Sequence, residues 1–480
     1  MKGKVAVIGG GIGGTLSARL FTILGYEVSI FEQSDKLGGC AGSFRRNNLT
    51  FNIGATTIGG LFSGFPVYRA FELLGVSLNE NCELTISNPT MTIIREGKKI
   101  HLSPYISEWE EELCSILEVK RAYIKKLLDM TNRVLKDCLK RPFYFSLHSL
   151  KSTLKSYLTG LPLFLRYHTL YYTPASKFLK EILENSEQRV LEFFNSLTLI
   201  TAQSTIDRIS ALTLLLSLGY VATGVGSTKN GGESLFDRLT DSVEVHLNTK
   251  VLSIRRINNN RAYLVRTAQG EEIFERLILS FPILENLSVL REDWQLYNYF
   301  KRFESMKSEN SALVLYGIST ESRFAPHILL ITKETLNGIT SGTYLISYLK
   351  QRDNLFTLTI STHTPIRWWL DSSIQSKYSY IKKFLMERIA EIVTSGLNID
   401  TSKLRVIDLA TPLTFKRHLS RMSLGGIPIT MEQPISKIPP NVTPFRGLYV
   451  LNDQSLFYQG WLGLSMGLLN LYEALNDEKL

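Results

Sequence analysis

The sequence has little of what marks secreted, metal-binding or exported proteins. Its 480 residues include four cysteines, and these have neither Cys-x-x-Cys spacing nor a nearby histidine, which argues against a disulfide framework and against a zinc site. We therefore expect a reducing, cytoplasmic setting and no metal. The N-terminus carries Lys2 and Lys4, but glycines and Arg19 interrupt the apolar run that follows, so the pattern predicts no signal peptide.

Long apolar runs are also lacking. The most apolar segment covers residues 209–225 (ISALTLLLSLGYVATGV), and it barely reaches the lower limit of a spanning helix before a glycine-rich loop follows. A helix of the core or of a substrate tunnel is the favoured interpretation, and a membrane span is the alternative. Hydrophobic residues at 44% and charged residues at 20% indicate a folded protein, whose length predicts two or three domains.

Acidic residues are scarce between Arg121 and Lys180. This stretch holds 12 Lys and Arg against two Asp, a difference that equals the net charge of +10 of the whole chain. Aromatic and leucine side chains lie among the basic ones, a composition typical of surfaces that lie in an anionic lipid interface. A solvated helix face is the alternative interpretation. No nucleic-acid-binding motif accompanies the charge, so we expect no nucleic-acid partner.

What the N-terminus does have is a cluster of glycines between two patterned segments. Residues 5–8 (VAVI) form a short β-branched run typical of a buried strand, and residues 15–24 repeat apolar side chains at helical spacing. Gly9, Gly11 and Gly14 between them fit G-x-G-x-x-G, whose glycines permit a tight turn, the approach of a pyrophosphate and close packing of helix on strand. The free N–H groups of the helix start then face the anion.

An acidic residue follows the glycines at the sequence spacing that is typical of dinucleotide-binding sites. Glu32 comes directly after a second predicted strand, residues 27–31, and lies 18 residues beyond Gly14. A carboxylate in this place accepts hydrogen bonds from a ribose, which favours an adenosine ribose without a 2′-phosphate. The whole unit predicts a dinucleotide site, and a Rossmann-like fold that has lost its ligand is the alternative.

The periodicity of apolar residues changes several times along the rest of the chain. It is largely helical from about residue 62 to 220, and between residues 244 and 280 it alternates in short strand-like runs, among them 250–257 and 272–280. A mixed region follows to about residue 428. Residues 447–453 are then predicted as a strand that ends in an acid and leads into an apolar helix.

Three separated segments of the chain resemble the FAD-dependent amine-oxidase-like superfamily, and within it the branch of phytoene desaturases, carotenoid isomerases and retinol saturase. The first is the N-terminal unit, continued by the doublet Gly38-Gly39 and by residues 51–56 (FNIGAT). The second is residues 226–239 (GSTKNGGESLFDRL), followed by an expected strand at residues 249–251. The third is residues 447–467 (GLYVLNDQSLFYQGWLGLSMG), and residues 411–415 (TPLTF) add a weaker match.

The resemblance implies FAD as the cofactor. In such proteins the doublet borders the pyrophosphate and the FNIGAT-like stretch approaches the flavin ring. By the same resemblance the Val251 backbone meets the adenine, Asp453 binds the ribityl–phosphate part, and the helix start near Trp461 and Leu462 faces the pyrimidine edge, where it stabilises the charge of the reduced flavin. The predicted cofactor site therefore comprises Gly9, Gly11, Ile12, Gly13, Gly14, Glu32, Gly38, Gly39, Asn52, Gly54, Ala55, Thr56, Val251, Asp453, Trp461 and Leu462.

Three residues depart from the family pattern. Cys40 stands where many amine oxidases have an arginine after the doublet, a form closer to retinol saturase. Asn52 replaces the more usual Asp, and Asn452 replaces the usual Gly before Asp453. Of the seven histidines, only His418 lies beside a family-like segment, and no catalytic side chain is assigned.

The expected fold class is α/β: a Rossmann-type FAD-binding domain with an inserted helical region and a mixed α+β substrate domain. The predicted FAD-binding parts are residues 1–61, 223–285 and 431–480. The helical, basic region covers residues 62–222, and the mixed substrate domain covers residues 286–430.

The expected function is an FAD-dependent oxidoreductase that desaturates, saturates or isomerises a lipophilic polyene or isoprenoid. It is expected to be peripherally associated with an anionic membrane surface through residues 121–180, with a substrate entrance near residues 141–180. Two alternatives stay open: a flavin enzyme that oxidises an amine or a porphyrinogen, and a non-catalytic prenyl- or lipid-binding escort of the same fold.

Overall fold

The computed structural model describes residues 2–54, 56–77, 84–140, 144–146, 150–184, 187–228, 231–321, 327–352, 354–433, 437–457 and 459–477. Within these ranges the helices are α1 (Ile12–Ile23), α2 (Pro66–Leu73), α3 (Glu110–Leu117), α4 (Arg121–Leu139), α5 (Leu150–Tyr172), α6 (Ala175–Ile182), α7 (Gln188–Ala202), α8 (Ala211–Tyr220), α9 (Glu233–Leu239), α10 (Trp294–Lys301), α11 (Ile366–Leu370), α12 (Ser372–Ser376), α13 (Tyr378–Gly396), α14 (Pro412–Leu419) and α15 (Gly460–Asp477). The strands are β1 (Lys4–Ile8), β2 (Glu27–Phe31), β3 (Ser43–Arg46), β4 (Leu49–Asn52), β5 (Leu84–Ile86), β6 (Met91–Arg95), β7 (Lys98–Leu102), β8 (Gly226–Thr228), β9 (Glu244–His246), β10 (Ser253–Ile257), β11 (Ala262–Arg266), β12 (Glu271–Phe274), β13 (Arg276–Leu279), β14 (Asn310–Ser319), β15 (His327–Ile331), β16 (Thr343–Arg352), β17 (Leu355–Pro365), β18 (Leu404–Ala410) and β19 (Leu448–Val450).

A five-stranded sheet in the order β19-β13-β1-β2-β9 assembles strands from the N-terminal, middle and C-terminal parts of the chain. All its pairings are parallel, and α1 makes the crossover between β1 and β2. Both faces are covered: Val5 and Val7 pack into one buried cluster with α1 and α15, whereas Ala6 and Ile8 pack into another on the opposite face. Burial on both faces explains the continuous apolar run of β1. The predicted Rossmann-type α/β fold is confirmed.

The second large sheet has seven strands in the order β18-β14-β17-β16-β15-β6-β7. Its pairings are antiparallel except that of β15 with β6. Alternate side chains of β14 point to opposite faces of the sheet. Leu313 and Leu315 pack against α13, whereas Ala312 and Val314 point to the other face. The face that carries Ala312 and Val314 lines a cavity.

Three details differ from the sequence-based pattern. β5, β6 and β7 lie inside the stretch predicted as largely helical. Glu96 and Gly97 adopt positive φ angles and turn the chain into a hairpin between β6 and β7, whereas β5 pairs with β8. Residues 249–251 are not a strand: the backbone N–H of Thr249 bonds to the carbonyl of Glu32, so the chain passes the end of β2 before β10 begins. The run 272–280 divides at Glu275 into β12 and β13, which belong to different sheets. The predicted domain boundaries stay a prediction.

Helices α3 to α8 enclose a separate apolar cluster around Trp109. Helix α8 takes up the most apolar segment of the chain, and most of its side chains are buried against this cluster. No helix in the part of the chain that the structure describes is long and apolar enough to cross a membrane. The segment is therefore a core helix, as favoured from its length.

Candidate active site

The glycine loop connects the carboxyl end of β1 to the first turn of α1. Gly9 has a φ angle of +98°, and Gly11 is the N-cap of α1 without any side-chain hydrogen bond to the first turn. The backbone N–H groups at the start of α1 are thus left for an anion. The loop has the geometry of a phosphate-binding turn.

The glycines of this loop have two different roles. A Cβ atom added to Gly14 would lie 1.9 Å from the carbonyl oxygen of Gly9, and one added to Gly13 would lie 2.0 Å from the carbonyl oxygen of Leu451. These two residues are glycine because backbone packs against backbone. A Cβ atom added to Gly11 would meet no atom within 4 Å. Gly11 therefore borders open space, the cradle that a pyrophosphate needs.

Glu32 is held against the same loop. Its Oε2 accepts a hydrogen bond from the backbone N–H of Gly10 at 2.7 Å, and its Oε1 accepts one from Ser34 N–H at 2.8 Å. The side chain is buried, and each carboxylate oxygen keeps a second lone pair. The position matches that of a ribose-binding carboxylate at the end of β2.

The Gly38-Gly39 doublet closes the loop from the other side. Gly38 N–H bonds to the carbonyl of Gly10 at 2.8 Å, and Gly11 and Gly38 form a parallel bridge. Cys40 follows at the cavity wall, where desolvation raises the pKa of its thiol, so the side chain is neutral. The doublet loop therefore contributes backbone groups and no positive charge.

The C-terminal segment reaches the cavity at Asp453 and at the start of α15. Asp453 receives a hydrogen bond from the guanidinium of Arg421 at 2.8 Å. The side chain of Asn452 is turned into the protein, where its Nδ2 donates to Phe281 O and its Oδ1 accepts from Gln454 N–H. Trp461 is buried and stacks on Phe236 at a centroid distance of 5.8 Å. Asn452 thus satisfies its polar atoms within the protein.

One continuous cavity joins these pieces. Of the predicted site residues, its lining includes Gly9, Gly11, Ile12, Gly13, Glu32, Gly38, Gly39, Gly54, Thr56, Val251, Asp453 and Trp461. Gly14, Asn52 and Leu462 do not line it: Gly14 is packed under the loop, Asn52 accepts a hydrogen bond from Ser43 Oγ, and Leu462 packs into the helical cluster. Ala55 lies outside the described residues.

The chain matches the family described as flavin containing amine oxidoreductase over residues 12–283, more than half of its length. The chain belongs to this family. Its cofactor is FAD, and the open cradle at Gly11, with the uncapped start of α1 beside it, fits the pyrophosphate of this cofactor.

Individual relatives agree with the predicted branch of the family. Prolycopene isomerase from the chloroplast of Daucus carota is 24% identical over 504 residues, covering 96% of this chain and 77% of the relative. A 4,4'-diapophytoene desaturase of Staphylococcus aureus (strain COL) is 38% identical over 55 residues, 12% of this chain and 11% of the enzyme. Among solved structures, an oxidoreductase from Methanosarcina mazei superposes with a TM-score of 0.64 at 16% identity, covering 98% of this chain and 100% of the other, which shows the fold.

The flavoenzyme cavity also contains residues that sequence reasoning missed. It continues beyond Thr56 to the seven-stranded sheet, where His363 on β17 forms a hydrogen bond of 2.9 Å with Gln203 Oε1. Desolvation lowers the pKa of His363 to about 4, so its imidazole is neutral and Nε2 carries the donated proton. His418, the histidine that the sequence pattern singled out, is exposed and is not part of this lining. No local motif surrounds His363, so only its place on the sheet identifies it.

A second buried histidine predicts a pH-dependent stability. His327 is buried, its Nδ1 lies 3.1 Å from Ser347 Oγ, and desolvation lowers its pKa from 6.5 to about 4. The unfolded chain binds this proton at a higher pH than the folded chain does. The free energy of unfolding should therefore be highest above about pH 6.5 and fall towards pH 4, by at most about 3 kcal/mol for this group.

Urea unfolding at a series of pH values checks this expectation. The His327→Asn variant should lose part of the decrease between pH 6.5 and 4. The matched control is His168→Asn, which removes an exposed histidine of α5 in the same way. If the free energy of unfolding of H327N decreased with pH in parallel with that of the wild-type protein, His327 would not contribute to the decrease.

Proposed function

We propose that this FAD-dependent oxidoreductase acts on a lipophilic polyene or related isoprenoid, which it desaturates, saturates or isomerises beside the flavin. The observation that carries the proposal is the extent of the similarity to prolycopene isomerase. The family match ends at residue 283, but the similarity to the isomerase covers 96% of the chain and so includes the strands that form the substrate side of the cavity. Resemblance confined to the cofactor-binding part would not separate this chemistry from amine oxidation.

The substrate side of the cavity supports an apolar substrate. Ile200 from α7, Ala312 and Val314 from β14, and Leu345 from β16 line it together with Leu424. Bound FAD supplies the transfer of hydride or electrons. The chain's own contribution is to enclose the substrate between the seven-stranded sheet and helices α7 and α8, and so to exclude water from it.

The surface of α5 supports access from a membrane. Leu150 is 87% exposed and Leu158 is 66% exposed, unusual values for leucine on a long helix. The exposed apolar side chains of this helix are Leu150, Leu154, Tyr157, Leu158, Leu161, Phe164, Leu165 and Tyr172. We call this set the α5 apolar face. Exposed basic residues, among them Lys151, Arg166 and Lys177, lie on or near it, as expected of a helix that lies on anionic lipid.

The proposed substrate entrance lies near residues 141–180. None of the described residues that line the cavity belongs to this range, but α5 packs against α8, whose last residue, Tyr220, does line it. A substrate that leaves the membrane at α5 therefore has one helix layer to pass.

The test begins with the purified protein and its absorption spectrum, with the released cofactor identified by mass. Acyclic polyenes that differ in saturation and in cis–trans geometry are then supplied in anionic liposomes without oxygen. Desaturation lengthens the conjugated system and reduces the flavin. Saturation shortens the conjugated system and oxidises flavin that dithionite has reduced beforehand, whereas isomerisation changes the polyene without a net change in the flavin. Flavin reduction by a diamine or a porphyrinogen, with no polyene converted, would replace the proposal by the amine or porphyrinogen alternative. A protein that binds polyene but no flavin would instead be a lipid escort.

Two variants of Ala312, which lines the substrate side of the cavity, test whether turnover depends on this site. Ala312→Phe places a ring where the substrate is proposed to lie, and Ala312→Ser is the matched control of nearly unchanged size. We expect A312F to lower polyene turnover at least about tenfold, with the flavin absorption retained, and A312S to resemble the wild-type protein. Equal turnover by both variants would place the substrate elsewhere.

A further inference from the structure

The residue after the glycine doublet offers the cofactor no positive charge. Cys40 directly follows the glycine doublet, and its thiol is neutral. A pyrophosphate brings two negative charges into the cavity. Backbone N–H groups at the start of α1 offset part of this charge, but they carry only partial charges.

Arg421 reaches the same cavity from a distant part of the chain. It follows α14, after Ser420, whose φ angle of +53° ends the helix and redirects the backbone. The side chain is 6% exposed and lines the cavity. Its Nε donates to the carbonyl of Ser423 at 2.6 Å, and its Nη1 donates to Asp453 Oδ2 at 2.8 Å.

The remaining nitrogen of this guanidinium is unsatisfied. Nη2 of Arg421 is buried and has no hydrogen-bond partner among the described residues. Burial opposes the charged form of the side chain, but the nearby acidic groups, Asp453 first and then Cys40 and Glu285, together outweigh this effect and raise the pKa of Arg421, so the group remains a cation. A buried, charged donor without an acceptor is costly unless a ligand supplies one.

Arg421 differs in position from the other cationic side chain of the cavity. Of the described residues that line the cavity, Lys250 and Arg421 are the lysine and arginine side chains. Lys250 is exposed and precedes Val251, at the end assigned to the adenine. Arg421 lies beside Cys40 and Asp453, at the end assigned to the doublet and the ribityl–phosphate part.

We propose that Arg421 supplies the positive charge for the FAD pyrophosphate that the loop after the doublet lacks, while it holds the Asp453 carboxylate in place for the ribityl chain. An arginine suits this double role, since its planar fork can donate to a carboxylate and a phosphate at once. The inference concerns how the cofactor is held, and it does not depend on the identity of the substrate.

The test measures the binding of cofactor fragments to the flavin-free protein. The probes are FAD, ADP, which keeps the pyrophosphate, and adenosine, which does not. We expect Arg421→Met to weaken the binding of FAD and ADP about 10- to 100-fold, with the affinity for adenosine nearly unchanged. Arg421→Lys should fall between the two proteins. The matched control is Arg417→Met, which removes an exposed arginine of α14 and should change no affinity.

Two results would show that Arg421 does not contact the pyrophosphate. Unchanged binding of ADP by R421M would overturn the inference, and so would an equal loss for ADP and adenosine, which would indicate a structural role alone. If R421M does not fold because Asp453 is left unpaired, the double variant R421M/D453N removes both charges. The proposal requires this double variant to bind ADP more weakly than D453N does; equal affinities of the two would overturn it.

Discussion

Replacing Gly11 with valine should yield a folded protein that does not retain FAD. Gly11 has φ −75° and ψ −169°, an extended conformation that any residue adopts, and a Cβ atom there meets no protein atom within 4 Å. The methyl groups of valine would instead fill the space above the start of α1, where the sequence predicts the pyrophosphate. We expect the affinity for FAD to fall at least about 100-fold, and the free energy of unfolding of the flavin-free protein to change by less than about 1 kcal/mol.

The measurements are flavin absorption of the purified variant, FAD titration and urea unfolding. Gly14→Val is the informative comparison, because a Cβ atom at Gly14 would lie 1.9 Å from the Gly9 carbonyl oxygen. This variant should lose stability as well as flavin, since backbone must move to admit the side chain. A G11V protein with full flavin occupancy would show that the pyrophosphate does not lie at this glycine.

Removing the α5 apolar face should detach the protein from anionic membranes. Leu154, Leu158, Leu161 and Leu165 follow one another at intervals of four, three and four residues, so they lie on one side of the helix. All four side chains are exposed, and their simultaneous replacement by glutamine keeps the helix propensity while it removes apolar area. We expect the partition into liposomes with anionic lipid to fall at least about tenfold.

Sedimentation with liposomes measures this partition, and flavin content with urea unfolding confirms that the variant is intact. The matched control replaces four exposed apolar residues elsewhere by glutamine: Ile23, Leu247, Ile273 and Leu370. This control should bind liposomes like the wild-type protein. The basic residues near α5 add a second expectation, which is weaker binding at higher salt or with neutral lipid. Equal partition of the two fourfold variants would remove the case for membrane contact through α5.

Much of the cofactor-binding half could be predicted from the sequence because its signals are local. The strand, glycine turn, helix and second strand up to Glu32 are consecutive, and the contact that requires Gly14 lies within this unit, although Gly13 packs against the distant Leu451. The same holds for α15, whose start at Gly460 follows a short strand that ends before an acid. Hydrophobic periodicity and turn chemistry act over a few residues, so one sequence suffices to predict them.

Other features depended on contacts between distant segments, which no local pattern encodes. The strands β6 and β7 complete the seven-stranded sheet because β6 pairs with β15, more than 200 residues later. Residues 249–251 have the composition of a strand, but the hydrogen bond from Thr249 to Glu32 draws them past the sheet. His363 and Arg421 line one cavity only because separate strands and loops meet around it. The sequence by itself determined the family, the cofactor and the phosphate-binding turn. The tertiary structure decided which charges and side chains line the cavity, because these depend on long-range packing and desolvation.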